Sequence, residues 1–153
     1  MTRYWQDLQL GECFSTNTLT IEKDNIRAFA GEFDPQPYHL DSAAAESSIF
    51  GGLCASGWQV SALMMRLLTD TLQQQQIQTL GMAAVPAMQW RRPVFAGDTL
   101  SAVFTFIDRA EQSSQPGCGT LDLEVTVNNQ DDKPVINLTA RLLVPHGENA
   151  HAD

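Results

Sequence analysis

The sequence predicts an α+β domain in which an antiparallel sheet wraps around one buried central helix. Residues 58–72 place apolar side chains around nearly the whole circumference of a helix, which is typical of a buried helix. Turn signals then separate four β-rich segments, at residues 82–94, 99–108, 120–127 and 134–144. One apolar helix followed by consecutive strands favours a helix packed on an antiparallel sheet.

The first half of the chain contains shorter elements. Residues 13–19 predict a short strand, and residues 21–30 predict a helix. Thr20 is the expected N-cap of this helix and Gly31 its end, because hydroxyl side chains cap helix N-termini and glycine is common after the last turn. This helix leads directly into a loop that contains two prolines.

That loop, EFDPQPYHLD, carries an acid and a base on a stiff backbone. Its two prolines exclude a helix interior and fix two φ angles. Asp34 and His39 are five residues apart across the bend, so their side chains can converge, and a stiff loop loses little entropy when a ligand binds. Asp41 is the expected cap of a short helix over residues 43–48.

Composition and charge exclude several classes of function. The 153 residues fit one domain, and 43% hydrophobic with only 18% charged residues argues against disorder. A net charge of −9 lacks the basic surface that nucleic-acid binding needs, and it disfavours anionic membranes. No apolar run approaches the roughly 20 residues that span a bilayer, and we expect no signal peptide. The cytoplasm is the expected location.

The cysteines argue against a metal site. Cys13, Cys54 and Cys118 are odd in number, far apart and without CxxC spacing, so neither a zinc site nor a disulfide framework is expected. Free thiols in a reducing compartment are the expected state.

The stretch from the proline loop to the central helix carries a resemblance to a known family. An Asp, four residues, a His, a Leu and a second Asp, followed by a Phe and a helix-opening Gly, resemble the hydratase motif of the MaoC-like family, which includes the (R)-specific enoyl-CoA hydratases. The matching residues are Asp34, Pro37, His39, Leu40, Asp41, Phe50 and Gly57. The segment RPVFAGDTL at residues 92–100 is similar to a later part of the family, and the resemblance spans roughly residues 5–145.

The resemblance implies a fold, a reaction and a partner. It implies a single hot-dog domain over residues 1–145. The polar composition of residues 146–153 separately predicts a flexible C-terminal tail. The implied reaction adds water to a trans-2-enoyl-CoA to give a 3-hydroxyacyl-CoA, with no cofactor besides the coenzyme A of the substrate. The sheet has an exposed edge and hot-dog relatives pair sheets across a two-fold axis, so a homodimer or a higher homo-oligomer is expected.

The resemblance also assigns roles to residues. Asp34 and His39 would hold the attacking water, with Asp34 as the base and His39 delivering a proton to the α-carbon. The backbone N–H of Gly57, at the start of the central helix, would stabilise the thioester oxygen. Further candidate substrate contacts are Ser56, Trp58 and Ser61.

Some assignments stay open at this point. Trp58 either lines an acyl pocket or packs in the core. Arg91 and Arg92 either pair with the phosphates of coenzyme A or face solvent. Ser56 stands where the family commonly has a His, and Met65 stands where some relatives have a serine.

Two other functions are alternatives to hydration. A hot-dog acyl-CoA thioesterase usually places a carboxylate on the central helix, and residues 58–68 contain no Asp or Glu. A non-catalytic acyl-thioester binding protein would take the same ligand, but substitution of Asp34 would change no rate.

Overall fold

The structure is a computed structural model that describes residues 1–147. Its helices are α1 (Lys23–Phe33), α2 (Pro37–Leu40), α3 (Ser42–Glu46) and α4 (Gly57–Gln74). Its strands are β1 (Cys13–Ser15), β2 (Leu19–Thr20), β3 (Gly81–Trp90), β4 (Thr99–Ala110), β5 (Cys118–Asn128) and β6 (Pro134–Pro145). A 3₁₀ turn at Trp5–Asp7 precedes them.

All the strands belong to one antiparallel sheet. Their order is β1-β4-β5-β6-β3, and β2 lies beside β4. The strand β3 therefore forms one edge of the sheet, with only β6 as its neighbour. The predicted α+β domain, with an antiparallel sheet around a central helix, is confirmed.

The core lies between α4 and the inner face of the sheet. Alternate residues of β5 are buried there, namely Leu121, Leu123, Val125 and Val127. The residues between them are polar, which is the period-two pattern of a strand with one apolar and one polar face. From α4, the buried side chains include Val60, Met64, Leu68 and Leu72.

The central helix is buried on one side only, which corrects the expectation of burial all round. Trp58 is 62% exposed, and Ala62 and Arg66 are exposed as well. A single open sheet covers one side of a helix, so the opposite side of α4 has no described neighbour of comparable extent. Some apolar side chains of α4 therefore stay exposed in a single chain.

Two expected boundaries near α1 are wrong. Thr20 is not the N-cap, which is Glu22. Thr20 belongs to β2 and pairs with Thr99 of β4, and the two hydroxyl oxygens lie 2.7 Å apart. The expected strand over residues 13–19 is accordingly split into β1 and β2. Gly31 does not end the helix, which continues to Phe33. A side chain would fit at residue 31, because a Cβ placed there has no other atom within 4 Å. The helix ends instead because Pro35 disfavours the helical conformation of the residue before it.

The expected C-terminal tail is only partly described. Residues 148–153 lie outside the described residues. Before them, the N–H of His146 donates to Gly117 O at 2.9 Å, and the N–H of Gly147 donates to Gln6 Oε1 at 3.1 Å. The chain is therefore hydrogen-bonded to the rest of the domain through residue 147.

Removing one buried methyl group from the sheet should lower stability measurably. We expect Ile136→Val to reduce the free energy of unfolding by about 1 kcal/mol, because Ile136 is fully buried. Ile107→Val is the matched control, since Ile107 is 42% exposed on β4 and should change stability by less than about 0.5 kcal/mol. Urea denaturation measures both. Equal losses for the two variants would contradict this placement of the core.

Candidate active site

Asp34 leaves the helix α1 because of the proline that follows it. Steric contact with a proline ring disfavours the helical conformation of the preceding residue. Asp34 is the C-cap, with φ −152° and ψ 68°, and its N–H still donates to Ala30 O at 2.9 Å. The carboxylate is therefore carried by a residue that is anchored to the helix but turned out of its path.

His39 sits on a single helical turn. Pro37 occupies the first position of α2, where its missing N–H costs nothing. The N–H of His39 donates to Gln36 O at 2.9 Å, and the ring is almost fully buried. Tyr38 packs edge-on against the imidazole, with ring centroids 4.4 Å apart. The two prolines of the loop thus fix Asp34 and His39 on neighbouring rigid turns.

The carboxylate and the imidazole meet. Oδ2 of Asp34 lies 3.4 Å from Nε2 of His39. The other ring nitrogen, Nδ1, lies 2.6 Å from Cys54 O. A carbonyl oxygen only accepts, so Nδ1 carries a proton. When the ring is neutral, Nε2 presents a lone pair beside the carboxylate, and both groups can accept a hydrogen from the same small donor.

Gly57 opens α4 a short way from this pair. The first residues of a helix have N–H groups without a partner inside the helix, and the helix dipole adds partial positive charge there. The preceding residue, Ser56, is fully buried, and its hydroxyl has no hydrogen-bond partner among residues 1–147. Two unpaired donors therefore lie at the beginning of the helix.

One cavity of about 490 Å³ joins these groups. Five of the six site residues predicted from the sequence line it: Asp34, His39, Ser56, Gly57 and Trp58. Trp58 is largely exposed at this cavity, so core packing does not describe its position. The sixth, Ser61, is not among the lining residues; its hydroxyl donates to Gly57 O at 3.0 Å.

The remaining wall comes from residues that sequence reasoning passed over or left undecided. Phe50, a residue of the motif, and Tyr38, which the sequence gives no role, both line the cavity. Trp90, at the end of β3, also lines the cavity, although it belongs to none of the motif segments. The feature of the sequence that could have pointed to it is an aromatic residue directly before Arg-Arg-Pro. Arg91 and Arg92 also line the cavity.

Cys54 does not act as a second base in this site. Burial raises the pKa of the Cys54 thiol, so the thiol stays protonated near neutral pH. Its Sγ lies 3.8 Å from Nδ1 of His39, the nitrogen that already donates to a carbonyl.

This neutral thiol should react slowly. The thiolate is the nucleophile, so a raised pKa and burial both lower the alkylation rate. We expect iodoacetamide to modify the exposed Cys13 at least about 10-fold faster than Cys54 at pH 7.5, measured by mass spectrometry. The difference should vanish in urea. Alkylation of Cys54 as fast as Cys13 in the folded protein would contradict it.

The described residues offer neither a metal-binding cluster nor a membrane-spanning helix. Residues 1–147 contain no group of three or more His, Cys, Asp or Glu side chains that could hold a metal ion. Among the same residues, no helix is both long enough and apolar enough to cross a bilayer.

Known proteins resemble this chain over most of its length. The protein YdeM of Bacillus subtilis (strain 168), described as uncharacterized, is 30% identical over 128 residues, which are 83% of this chain and 89% of YdeM. The structure of a MaoC-like dehydratase from Rhodospirillum rubrum is 35% identical, with a TM-score of 0.82 over 95% of this chain and 98% of that one.

More distant structures share the fold. An (R)-hydratase from A. caviae involved in PHA biosynthesis has a TM-score of 0.69 at 23% identity, over 92% of this chain and 99% of that one. A Mycobacterium tuberculosis protein described as a double hot-dog fold has a TM-score of 0.81 at 20% identity, over 97% of this chain and 46% of that one. The expected hot-dog fold is thereby confirmed.

The family described as "MaoC like domain" matches residues 7–129, which is most of the chain and includes the whole Asp–His loop and α4. The resemblance first read from that loop is confirmed, and this chain belongs to the MaoC-like domain family.

Proposed function

We propose that this protein is an acyl-thioester hydratase that adds water reversibly to a trans-2-enoyl-CoA to give a 3-hydroxyacyl-CoA. One observation carries the proposal: Oδ2 of Asp34 and Nε2 of His39 lie 3.4 Å apart in a cavity that also holds the first residue of α4. Membership of the MaoC-like family and the 35% identity to a protein described as a dehydratase support the same class of reaction.

The first step activates a water molecule. A water placed between the two acceptors donates one hydrogen to Asp34 and the other to His39, so its oxygen lone pair points at the substrate. As the oxygen attacks the β-carbon, Asp34 takes a proton from it. That proton passes to Nε2 of His39 and then to the α-carbon. Both side chains return to their starting state, and one water has been added across the double bond.

The second requirement is a donor for the thioester oxygen. That oxygen gains negative charge while the new carbon–oxygen bond forms. The N–H of Gly57, strengthened by the dipole of α4, supplies a preorganised hydrogen bond, a contribution of about 10²- to 10³-fold in rate for a single donor. The hydroxyl of Ser56, at the position where the family commonly has a histidine, has no partner within residues 1–147, but it is buried and would have to turn toward the cavity to act as a second donor.

The cavity also has chemistry suited to a charged carrier. Arg91 and Arg92 line it, and neither forms an ion pair with a carboxylate within residues 1–147. Guanidinium groups without a carboxylate partner suit the phosphates of coenzyme A. We therefore keep acyl-CoA as the proposed substrate, while the net charge of −9 argues against a nucleic acid or an anionic membrane as the partner.

A direct assay tests this function. Purified protein is mixed with trans-2-enoyl-CoA substrates of increasing chain length, and loss of the conjugated double bond is followed by ultraviolet absorbance. Hydration consumes the double bond without releasing a thiol. Release of free coenzyme A would support the thioesterase alternative instead, and binding without turnover on every substrate would support the non-catalytic one. The only carboxylate on α4 is Asp70, far along the helix from Gly57, which disfavours the thioesterase.

We further propose that the protein is a homodimer formed through β3. This edge strand exposes apolar side chains, including Met82 and Val85, and the outer side of α4 is exposed as well. Free sheet edges with apolar residues favour pairing with another strand. A second copy of this chain would extend the sheet across a two-fold axis.

A charge on β3 should therefore break the dimer. We expect the native protein to sediment at twice its chain mass of 16.8 kDa and Val85→Lys to sediment as a monomer. Val103→Lys is the control, because Val103 is similarly exposed but lies on β4, which has strand partners on both sides. A monomeric native protein, or a dimeric Val85→Lys, would count against pairing through β3.

No cofactor enters the proposed reaction, because the side chains named above perform each proton transfer.

Cys13, Cys54 and Cys118 are free thiols, which fits the proposed location in the reducing cytoplasm.

A further inference from the structure

The indole of Trp90 lies directly against Gly57. Its Nε1 donates to Gly57 O at 2.9 Å. A Cβ on residue 57 would lie 2.8 Å from Nε1 of the indole, closer than real Cβ atoms come to another atom, and 3.0 Å from Cε2, which is tighter than most Cβ contacts. Glycine is therefore required at this position as long as the Trp90 ring stays where it is.

The same carbonyl has a second side-chain donor. The hydroxyl of Ser61 donates to Gly57 O at 3.0 Å and lies 3.6 Å from Sδ of Met88, two residues before Trp90 on β3. The first residue of α4 is thus tied to the edge strand β3 as well as to its own helix. Without these ties it would be the weakest point of the helix, because first turns fray and glycine has the largest backbone freedom.

We propose that Trp90 is a positioning residue that aims the N–H of Gly57 at the thioester oxygen. This inference rests on the proposed hydratase function of the same cavity. Preorganised donors work only when they are held within a fraction of an ångström, and a 1 Å misplacement can cost about 10²-fold in rate. Trp90 touches Gly57 O and not the reacting atoms, so it acts through Gly57.

The chain contains a matched control. Trp5 also donates through Nε1 to a backbone carbonyl, that of Thr120, at 3.0 Å, and its ring also occupies the space beside a glycine, Gly119. Trp5 does not line the cavity. Trp5→Phe and Trp90→Phe therefore remove the same kind of hydrogen bond, one away from the site and one next to it.

The first experiment compares these two variants with the native protein. Trp90→Phe should lower kcat about 10-fold for the best enoyl-CoA substrate, with KM within about 2-fold, because the donor matters most in the transition state. Trp5→Phe should leave kcat within about 2-fold. In ¹H–¹⁵N spectra, the chemical shifts of the Gly57 amide should change in Trp90→Phe and stay as in the native protein in Trp5→Phe. Unchanged Gly57 chemical shifts in Trp90→Phe, or a native kcat in that variant, would overturn the inference.

The second experiment tests the contact itself. Gly57→Ala keeps the N–H, but its Cβ must displace the indole, so kcat should fall about as far as in Trp90→Phe. In a Trp90→Ala background the space is free, and adding Gly57→Ala should lower kcat by less than about 2-fold. Equal losses in both backgrounds would mean that Trp90 does not act through Gly57. If the native protein is inactive on every enoyl-CoA, the hydratase proposal fails. The chemical shifts of the Gly57 amide in Trp90→Phe still test, independently of activity, whether Trp90 positions Gly57.

Discussion

Asp34→Asn should lower the rate of enoyl-CoA hydration by about 10²- to 10⁴-fold while the protein stays folded. An amide of the same shape cannot take a proton from the water, and its N–H₂ group would donate where a lone pair is needed. The fold should tolerate the change, because Asp34 is partly exposed and its structural bond to Ala30 uses the backbone N–H. Initial rates and a urea unfolding curve measure the two effects.

Asp41→Asn provides the matched control for this prediction. Asp41 belongs to the same motif, but its Oδ1 accepts from the N–H of Ala43 at 3.1 Å as the cap of α3. Asparagine caps helices about as well as aspartate, so activity and stability should stay close to native. A large loss in Asp41→Asn, or hydration that survives Asp34→Asn, would remove Asp34 from the role of base.

His39→Asn should lower the hydration rate to a similar degree, about 10²- to 10⁴-fold. The side-chain amide of asparagine stands where Nδ1 stands and can still donate to Cys54 O, the bond that Nδ1 makes in the native protein at 2.6 Å, but it has no basic nitrogen to receive or return a proton. The variant thus separates proton transfer from support of the Cys54 carbonyl. Loss of activity with native-like folding is the expected result.

Its control uses the other described histidine. His146 bonds through Nε2 to Glu111 O at 2.9 Å and lies outside the cavity. His146→Gln should leave the hydration rate near that of the native protein. Rapid hydration by His39→Asn on any chain length would show that the imidazole is not part of the proton path, and the mechanism would then need a different proton donor for the α-carbon.

Local sequence was sufficient for much of the fold and for the central pair of the site. Period-two alternation along residues 120–127 placed β5 within two residues at either end, because one face of a strand must be apolar. The two prolines around Gln36 limited the loop to a few conformations, so the proximity of Asp34 to His39 followed from a five-residue separation.

The errors came from contacts between distant segments. Thr20 has the chemistry of an N-cap, but pairing with Thr99 keeps it in a strand, and no local pattern contains that partner. The same holds for Trp90: its sequence neighbours describe the end of a strand, while its indole donates to the carbonyl of Gly57, 33 residues earlier in the chain. The exposed side of α4 was missed because periodicity shows which residues are apolar, and not what covers them.

Local patterns in the sequence were enough to place most elements of the fold and to bring out Asp34 and His39, the two side chains that meet in the cavity. Backbone preferences of proline and glycine, and the alternation of apolar residues, act over a few residues and are readable in one chain. The folded chain was needed to show that the edge strand β3 carries Trp90 onto the first residue of α4, and that Cys54 O orients the imidazole of His39. Those contacts join segments far apart in the chain, and their free energy depends on packing that local sequence does not encode.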